Sequence, residues 1–390
     1  MTLRRTPLRA SLPCAAALVV LAGCDDTVSI VGRRFRDATV PDDTADVITP
    51  QDGADGSAPD ASTDGPPIGD VPLGMDVPIA TDVTDVPDAP LGNVPRVIVN
   101  CGTVCQRPLD AVPDSTGRNV YFTAFTAADV PAVFRVAVPA AGAMPAVPTL
   151  LIAGMGLALP LGIAISPDDA TLYIADPGAD RGTAEADLGA GAVFAIAAAG
   201  GTPRVLALGA TLVHPNAVSI SSDGADLLVS AQLLNATTGD RTHGVFRAPR
   251  AGSAASVVAM NLSGPSGVSQ AMGGAVVVAD LRRTGPRAGA AVTISPGAPA
   301  AVTGDLVANF PAGLAHTLDG RGILVSGAAQ GSAGLLTVVT GDGGVSAPAG
   351  LSSGMVTPLG LHRARTVDVW SVADENAGDN GQIFLVTGPL

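Results

Sequence analysis

The sequence contains no lysine and only two glutamates, one tryptophan and two tyrosines. Its 21 basic residues are all arginine, set against 35 acids, for a net charge of −14. Nothing supplies the basic face that phosphate contacts require, so a nucleic-acid partner is not expected. Histidine is equally scarce. His214, His243, His316 and His362 are the whole set, with no His-x-His or His-Glu-x-x-His spacing to suggest zinc. The "GPSGVSQ" stretch around Ser266 is not a Gly-x-Ser-x-Gly elbow, and no Gly-rich phosphate loop joins a strand to a helix. The four cysteines are too few for a disulfide scaffold.

What is present divides into three regions. Residues 1–24 carry a charge of +3, residues 25–94 carry −12 and residues 95–390 carry −5. Arg4, Arg5 and Arg9 precede the apolar stretch "CAAALVVLA", Cys14 to Ala22, which is too short to span a bilayer as a mature helix. The stretch ends in "LAGC" at Cys24, and this order resembles the bacterial lipoprotein signal. The resemblance implies cleavage after residue 23 and acylation of Cys24, which would anchor the chain to the envelope membrane, inner or outer, with the rest outside the cytoplasm. An ordinary signal peptide or an uncleaved anchor is the plain alternative.

Residues 24–94 read as a disordered tether. Asp, Pro, Gly, Ser and Thr dominate, and too little apolar surface is available to offset the ordering entropy. Close carboxylates in "DGADG" and "DVTDVPD" invite a calcium reading, but neither follows the calcium-loop spacing.

From residue 95 to 390 a phrase recurs. Pro160-Leu-Gly-Ile-Ala is echoed at Pro215, Pro265, Pro311 and Pro358, with a weaker copy at Pro108, at intervals of 52, 55, 50, 46 and 47 residues. A second apolar element follows each, such as "TLYIAD", then a third bearing Phe134, Phe194, Phe246 or Phe384, then a fourth such as "TPRVLAL". Four short strands in about fifty residues, repeated six times, predict an all-β six-bladed β-propeller. The Pro is expected to open each innermost strand, where its missing N–H costs little. The last unit has room for only three strands. "VPRVIVN", from Val94, matches "TPRVLAL" and is expected to supply the fourth, closing the ring.

The phrases "PLGIAISPDDATLYIAD" and Pro215-Asn216-Ala217-Val218 resemble those of NHL and SMP-30/gluconolactonase-like propellers across residues 95–390. In the gluconolactonase-like enzymes a Glu, Asn residues and an Asp hold a divalent metal. Only Asn216 matches here. Asp110 stands in the first blade and Ser266 in the fourth where acidic ligands would be needed.

Strand order gives the candidate face. Loops between second and third strands share a side with the connectors entering first strands. Asp176, Asp280 and Asp374 end second strands and Asn216 opens a first strand, so all four are expected at one mouth. His316 and His362 lie on neighbouring first strands and are expected to line the channel. Asp176, Asp280 and Asn216 are the candidate ligands for a divalent cation such as calcium. The plain reading is that each Asp caps its own turn. Cys101 and Cys105, an even pair in an exported domain, are expected to form a disulfide. Two functions follow. One is a monomeric binding or scaffold propeller for a protein or small-molecule ligand, held off the membrane by the tether. The other is a metal-dependent lactonase-like hydrolase.

Overall fold

The computed structural model describes residues 94–180, 190–281, 289–295, 301–305, 310–328 and 334–388. The signal segment, Cys24 and the tether up to residue 93 lie outside the described residues. Every regular element described is a β-strand. After β1 (Arg96–Asn100), the first blade comprises β2 (Cys105–Pro113), β3 (Asn119–Thr126), β4 (Pro131–Ala137) and β5 (Thr149–Ala153). The second holds β6 (Gly162–Ile165), β7 (Thr171–Asp176), β8 (Ala192–Ala197) and β9 (Arg204–Val205). The third holds β10 (Leu212–Ile220), β11 (Asp226–Leu234), β12 (Arg241–Pro249) and β13 (Ser256–Met260). The fourth holds β14 (Pro265–Gln270), β15 (Val276–Leu281), β16 (Gly289–Ile294) and β17 (Ala301–Asp305). The fifth holds β18 (Phe310–His316), β19 (Gly322–Ala328), β20 (Gly334–Thr340) and β21 (Val345–Ser346). The sixth holds β22 (Pro358–Arg363), β23 (Val369–Asp374) and β24 (Gln382–Thr387).

Six antiparallel four-stranded sheets form a six-bladed propeller, and the last has the order β1-β24-β23-β22. Arg96 pairs with Leu385, Val97 with Phe384, Val99 with Ile383 and Asn100 with Gln382. The expected closure by an N-terminal strand is therefore found. It is fixed by packing on both sides of the blade. Val97 leans on the cluster around Trp370 and Phe384, while Ile98 and Val99 enter the one around Phe122 and Phe134.

The core consists of separate wedges between neighbouring blades rather than one central mass. Phe134, Phe194, Phe246 and Phe384 on the third strands are all buried, each turned toward the preceding blade. Each buries enough apolar area to stabilise its interface by roughly 2–3 kcal/mol. Hydroxyls add directional ties between blades. Ser230 Oγ donates to Ser266 O at 2.6 Å, Ser266 Oγ to Pro311 O at 2.7 Å and Ser371 Oγ to Ala111 O at 2.6 Å. Ser326 Oγ donates likewise to Leu359 O.

The repeated prolines do something other than open strands. Pro265 and Pro358 begin β14 and β22, but Pro108 and Pro215 sit inside longer strands and Pro160 precedes β6. Five of the six innermost pairings slip register across the Pro-x-Gly phrase or its Pro-x-Ala and Pro-x-Asp variants. A residue without an N–H cannot extend the ladder, so the strand bulges there and resumes. Cys101 and Cys105 are joined by a disulfide, as expected, and both are buried. Cys101 N donates to Gly381 O at 3.1 Å and Asn380 Nδ2 to Gly102 O at 2.8 Å, so the bridged segment is tied to the loop between β23 and β24.

Candidate functional site

The inner strands run from the face where connectors enter to the face where they turn into the second strand. These are the connector face and the turn face below. The four residues expected at one mouth and the two histidines expected to line the channel are divided between them.

Asp176, Asp280 and Asp374 lie at the connector face, but they are buried and aimed into their own blades. Asp176 accepts from Ala158 N at 2.8 Å, Leu159 N at 2.9 Å and Gly178 N at 3.0 Å. Asp280 accepts from Ser263 N at 3.0 Å and Gly264 N at 2.6 Å. Asp374 accepts from Val356 N at 2.6 Å and Thr357 N at 2.9 Å. Each carboxylate clamps the connector that delivers the inner strand of its blade, in blades two, four and six. Burial raises Asp176 to about 6 and also raises Asp374, against the opposing backbone N–H groups. Asn216 is half-buried in β10. In the candidate calcium set of Asp176, Asp280 and Asn216, both oxygens of each Asp already accept from backbone N–H groups within their own blades. Ser266 is likewise engaged between blades four and five. Among the described residues, no three His, Cys, Asp or Glu side chains come together as a metal-binding group.

Asp110 occupies the glycine position of the repeat in blade one. Its side chain accepts from Ala111 N at 2.8 Å, Ile163 N at 2.8 Å and His362 Nε2 at 3.0 Å, linking blades one, two and six near the axis. Also on the connector face is Glu375, only 3% exposed, with Oε2 lacking a hydrogen-bond partner. Burial pushes its carboxyl up to about 7, opposed by Arg107 and reinforced by Asp374. The sole sign of it in the sequence is a rare Glu directly after a strand-ending Asp.

The concave space is at the turn face. A cavity of about 400 Å³ lies on the axis, with lining from all six blades, including Ser115, Ser166, Ser219, Gln270, His316 and His362. The turns that rim it are made by the Ser-Pro-Asp-Asp phrase and its relatives. In these, Ser166, Ser221 or Thr317 bonds to the acid two residues on, Asp168, Asp223 or Asp319, and each of those acids also accepts a backbone N–H.

Two arginines that the repeat pattern did not single out enter this cavity, from "HRAR" at the end of the sixth inner strand. Arg363 Nε donates to His316 O at 2.7 Å, and its Nη1 donates to Ala364 O at 2.6 Å and Val367 O at 3.3 Å. Burial lowers its guanidinium below the usual value, with Asp368 opposing. Arg365 crosses the mouth from blade six to blade three, where Nη2 donates to Ser222 O at 3.3 Å. His316 Nδ1 shares a hydrogen with Ser269 Oγ at 2.9 Å. Burial, with Arg363 adding, depresses His316 to about 4, so its imidazole is neutral at physiological pH.

These shifts predict opposite pH dependences. The folded value of His316, about 4, lies below its ordinary 6.5. The unfolded chain therefore binds the extra proton between those values, and stability falls as pH drops through that window. For Glu375 the folded value, about 7, lies above 4.5. The folded chain binds the extra proton, and stability is lost as pH rises from about 4.5 to 7. Denaturant titrations across pH 4–8 should show His316→Gln removing an acid-side loss on the order of 3 kcal/mol, and Glu375→Gln removing an alkaline-side loss of similar size. Parallel profiles for wild type and either variant would contradict the burial assigned to that side chain.

No family model matches the chain, and no curated protein matches it. Several solved structures are similar at low sequence identity. The gluconolactonase XC5397 from Xanthomonas campestris is 13% identical over 76% of this chain and 91% of that one, with a TM-score of 0.50. A protein of unknown function from Dyadobacter fermentans is 12% identical over 75% of this chain and 97% of that one, with a TM-score of 0.51. TolB from Acinetobacter baumannii is 10% identical over 72% of this chain with a TM-score of 0.45, and only 55% of its own length is matched. At these identities the likeness shows the propeller fold alone.

Proposed function

We propose that this chain is an envelope lipoprotein whose propeller binds a ligand or a partner's side chains in the turn-face cavity. The observation that carries the reading is the cavity itself, built from all six blades, with charged and hydroxyl groups facing one space. The alternative is a metal-dependent lactonase, the activity named for the Xanthomonas protein. In that reading Asp176 or Asp280 would ligate the metal with carboxylate oxygens that also accept backbone N–H groups. Metal analysis of the purified chain, with lactone hydrolysis assayed in added calcium or zinc, separates the two. Stoichiometric metal lost in Asn216→Ala, together with turnover, would replace the binding reading.

Anchoring is a second part of the proposal. Cys24 ends the lipobox "LAGC", and the acidic tether that follows offers no apolar surface of its own. Cys24→Ser should abolish acyl labelling and move the protein from the membrane to the soluble envelope fraction. A non-acylated variant that stays in the membrane would rule out lipid anchoring.

A further inference from the structure

The turn-face cavity has a chemistry unlike the rest of the chain. The molecule is strongly acidic, yet Arg363 and Arg365 enter the cavity lining and the only acid there is Asp169. Asp169 is already occupied: its oxygens accept from Ser115 N at 2.9 Å and Ser115 Oγ at 2.5 Å, which joins blade two to blade one. Asp110, on the same inner-strand layer, is bonded to two backbone N–H groups and to His362. Both carboxylates keep their charge but point at these partners, and the acid that acts on Arg363 is Asp368, outside the described lining.

A second observation points at the same space. Ser219, on the inner strand of blade three, lines the cavity, is 7% exposed, and its Oγ has no hydrogen-bond partner. A buried hydroxyl left unpaired costs about 1–3 kcal/mol, so a group that bonds to it on binding would recover that cost. Arg365 is the charged counterpart. It is exposed, reaches over the mouth from the opposite blade, and rests there on a single 3.3 Å bond to Ser222 O. Its Nη1 makes no hydrogen bond to the rim. A guanidinium in that position can turn inward and meet an oxyanion with two parallel N–H groups.

Resting on the binding reading above, we infer that the turn-face cavity is an anion site for a small hydroxylated carboxylate or phosphate, held by Arg365 and Ser219 toward blade three and by Arg363 from blade six. The space suits a ligand rather than a folded partner. A cavity of about 400 Å³ falls in the range that takes a small molecule. Hydroxyls of Ser221, Ser222 and Ser269 stand near enough to the same space to serve a polar ligand body.

Isothermal titration of the soluble mature chain tests this, with citrate and inorganic phosphate as the anionic probes and glycerol as the neutral one. Saturable one-to-one binding of citrate or phosphate is expected, and the stronger probe identifies carboxylate or phosphate as the favoured group. Arg365→Gln should weaken it about 10- to 100-fold, the loss of a charge-assisted hydrogen bond. Ser219→Ala should weaken it several-fold while leaving the melting temperature unchanged or raised. Arg204→Gln removes the same charge from the outer strand of blade two, where the side chain reaches only Ala251 O, and should leave affinity within twofold. Failure of both anions to bind at millimolar concentration overturns the proposal, as does binding indifferent to Arg365→Gln and Ser219→Ala. Glycerol bound as tightly as citrate would overturn the anion site yet leave the cavity as a binding site.

Discussion

Deletion of residues 1–93 should leave a propeller that melts like the full chain, whereas deletion of residues 1–100 should leave one that melts at least about 10 °C lower or fails to unfold cooperatively. The shorter deletion ends before β1 and removes the signal segment and the tether, whose composition predicts too little apolar surface for a core. The longer one strips β24 of its partner. Ile98 and Val99 are fully buried and Val97 is half-buried against the neighbouring wedge. Losing three aliphatic side chains at roughly 1.5–3 kcal/mol each consumes most of the 5–15 kcal/mol that holds a typical domain folded. An open ring also exposes the ladder edge of β24 to pairing with other chains. The disulfide between Cys101 and Cys105 is retained in both truncations, so it does not confound the comparison. Scanning calorimetry of the two proteins decides the matter. Equal melting temperatures would mean that closure through β1 adds nothing.

Much of this fold is legible in the sequence because a propeller repeats one solution six times. A single Pro-x-Gly or a single buried Phe is weak evidence. The same order from Pro108, Pro160, Pro215 and Pro358, with Phe134, Phe194, Phe246 and Phe384 following on the third strand of each unit, admits few other architectures. The missing strand of the last unit was legible for the same reason, since "VPRVIVN" carries the pattern of a fourth strand with no blade of its own.

The site was not legible to the same degree. An Asp that ends a strand looks alike in the sequence whether it faces solvent or turns inward. Asp176, Asp280 and Asp374 turn inward because the connector two residues ahead of each proline presents two adjacent N–H groups with no strand partner. That geometry depends on a loop about seventeen residues away, which periodicity does not encode. Arg363 and Arg365 were overlooked for the opposite reason. Arg363 stands at the end of the inner strand and Arg365 where the other blades carry turn residues, so the repeat pattern treats "HRAR" as a degraded copy. A departure from the repeat was in this case the more informative signal.

The axis supplies the other large effect. In blades two, four, five and six the third residue of the phrase is Gly, and none of these four glycines has a left-handed backbone that would itself demand one. The requirement is steric and comes from the adjacent inner strand. A Cβ on Gly313 would lie 2.1 Å from Leu361 N and 2.8 Å from Gly360 C. On Gly267 it would lie 2.6 Å from Ala312 O, and on Gly162 2.8 Å from Ala217 Cα. The atoms struck are backbone, so no rotamer change relieves the overlap. Accommodating one methyl means moving the inner strand of the next blade, which is paired to the second strand of its own sheet and packed against both neighbouring blades. Gly313→Ala should therefore cost about 3 kcal/mol or more, at or beyond the upper end of ordinary overpacking, despite the small gain that Gly→Ala gives by restricting the unfolded chain. Gly273→Ala is the control, because a Cβ there meets nothing within 4 Å and its backbone is not left-handed. It should change stability by no more than about 0.5 kcal/mol. Urea titration of both variants measures the difference directly. If Gly313→Ala unfolds at the same midpoint as Gly273→Ala, the inner strands do not meet this closely in solution and the axis is wider than the structure has it.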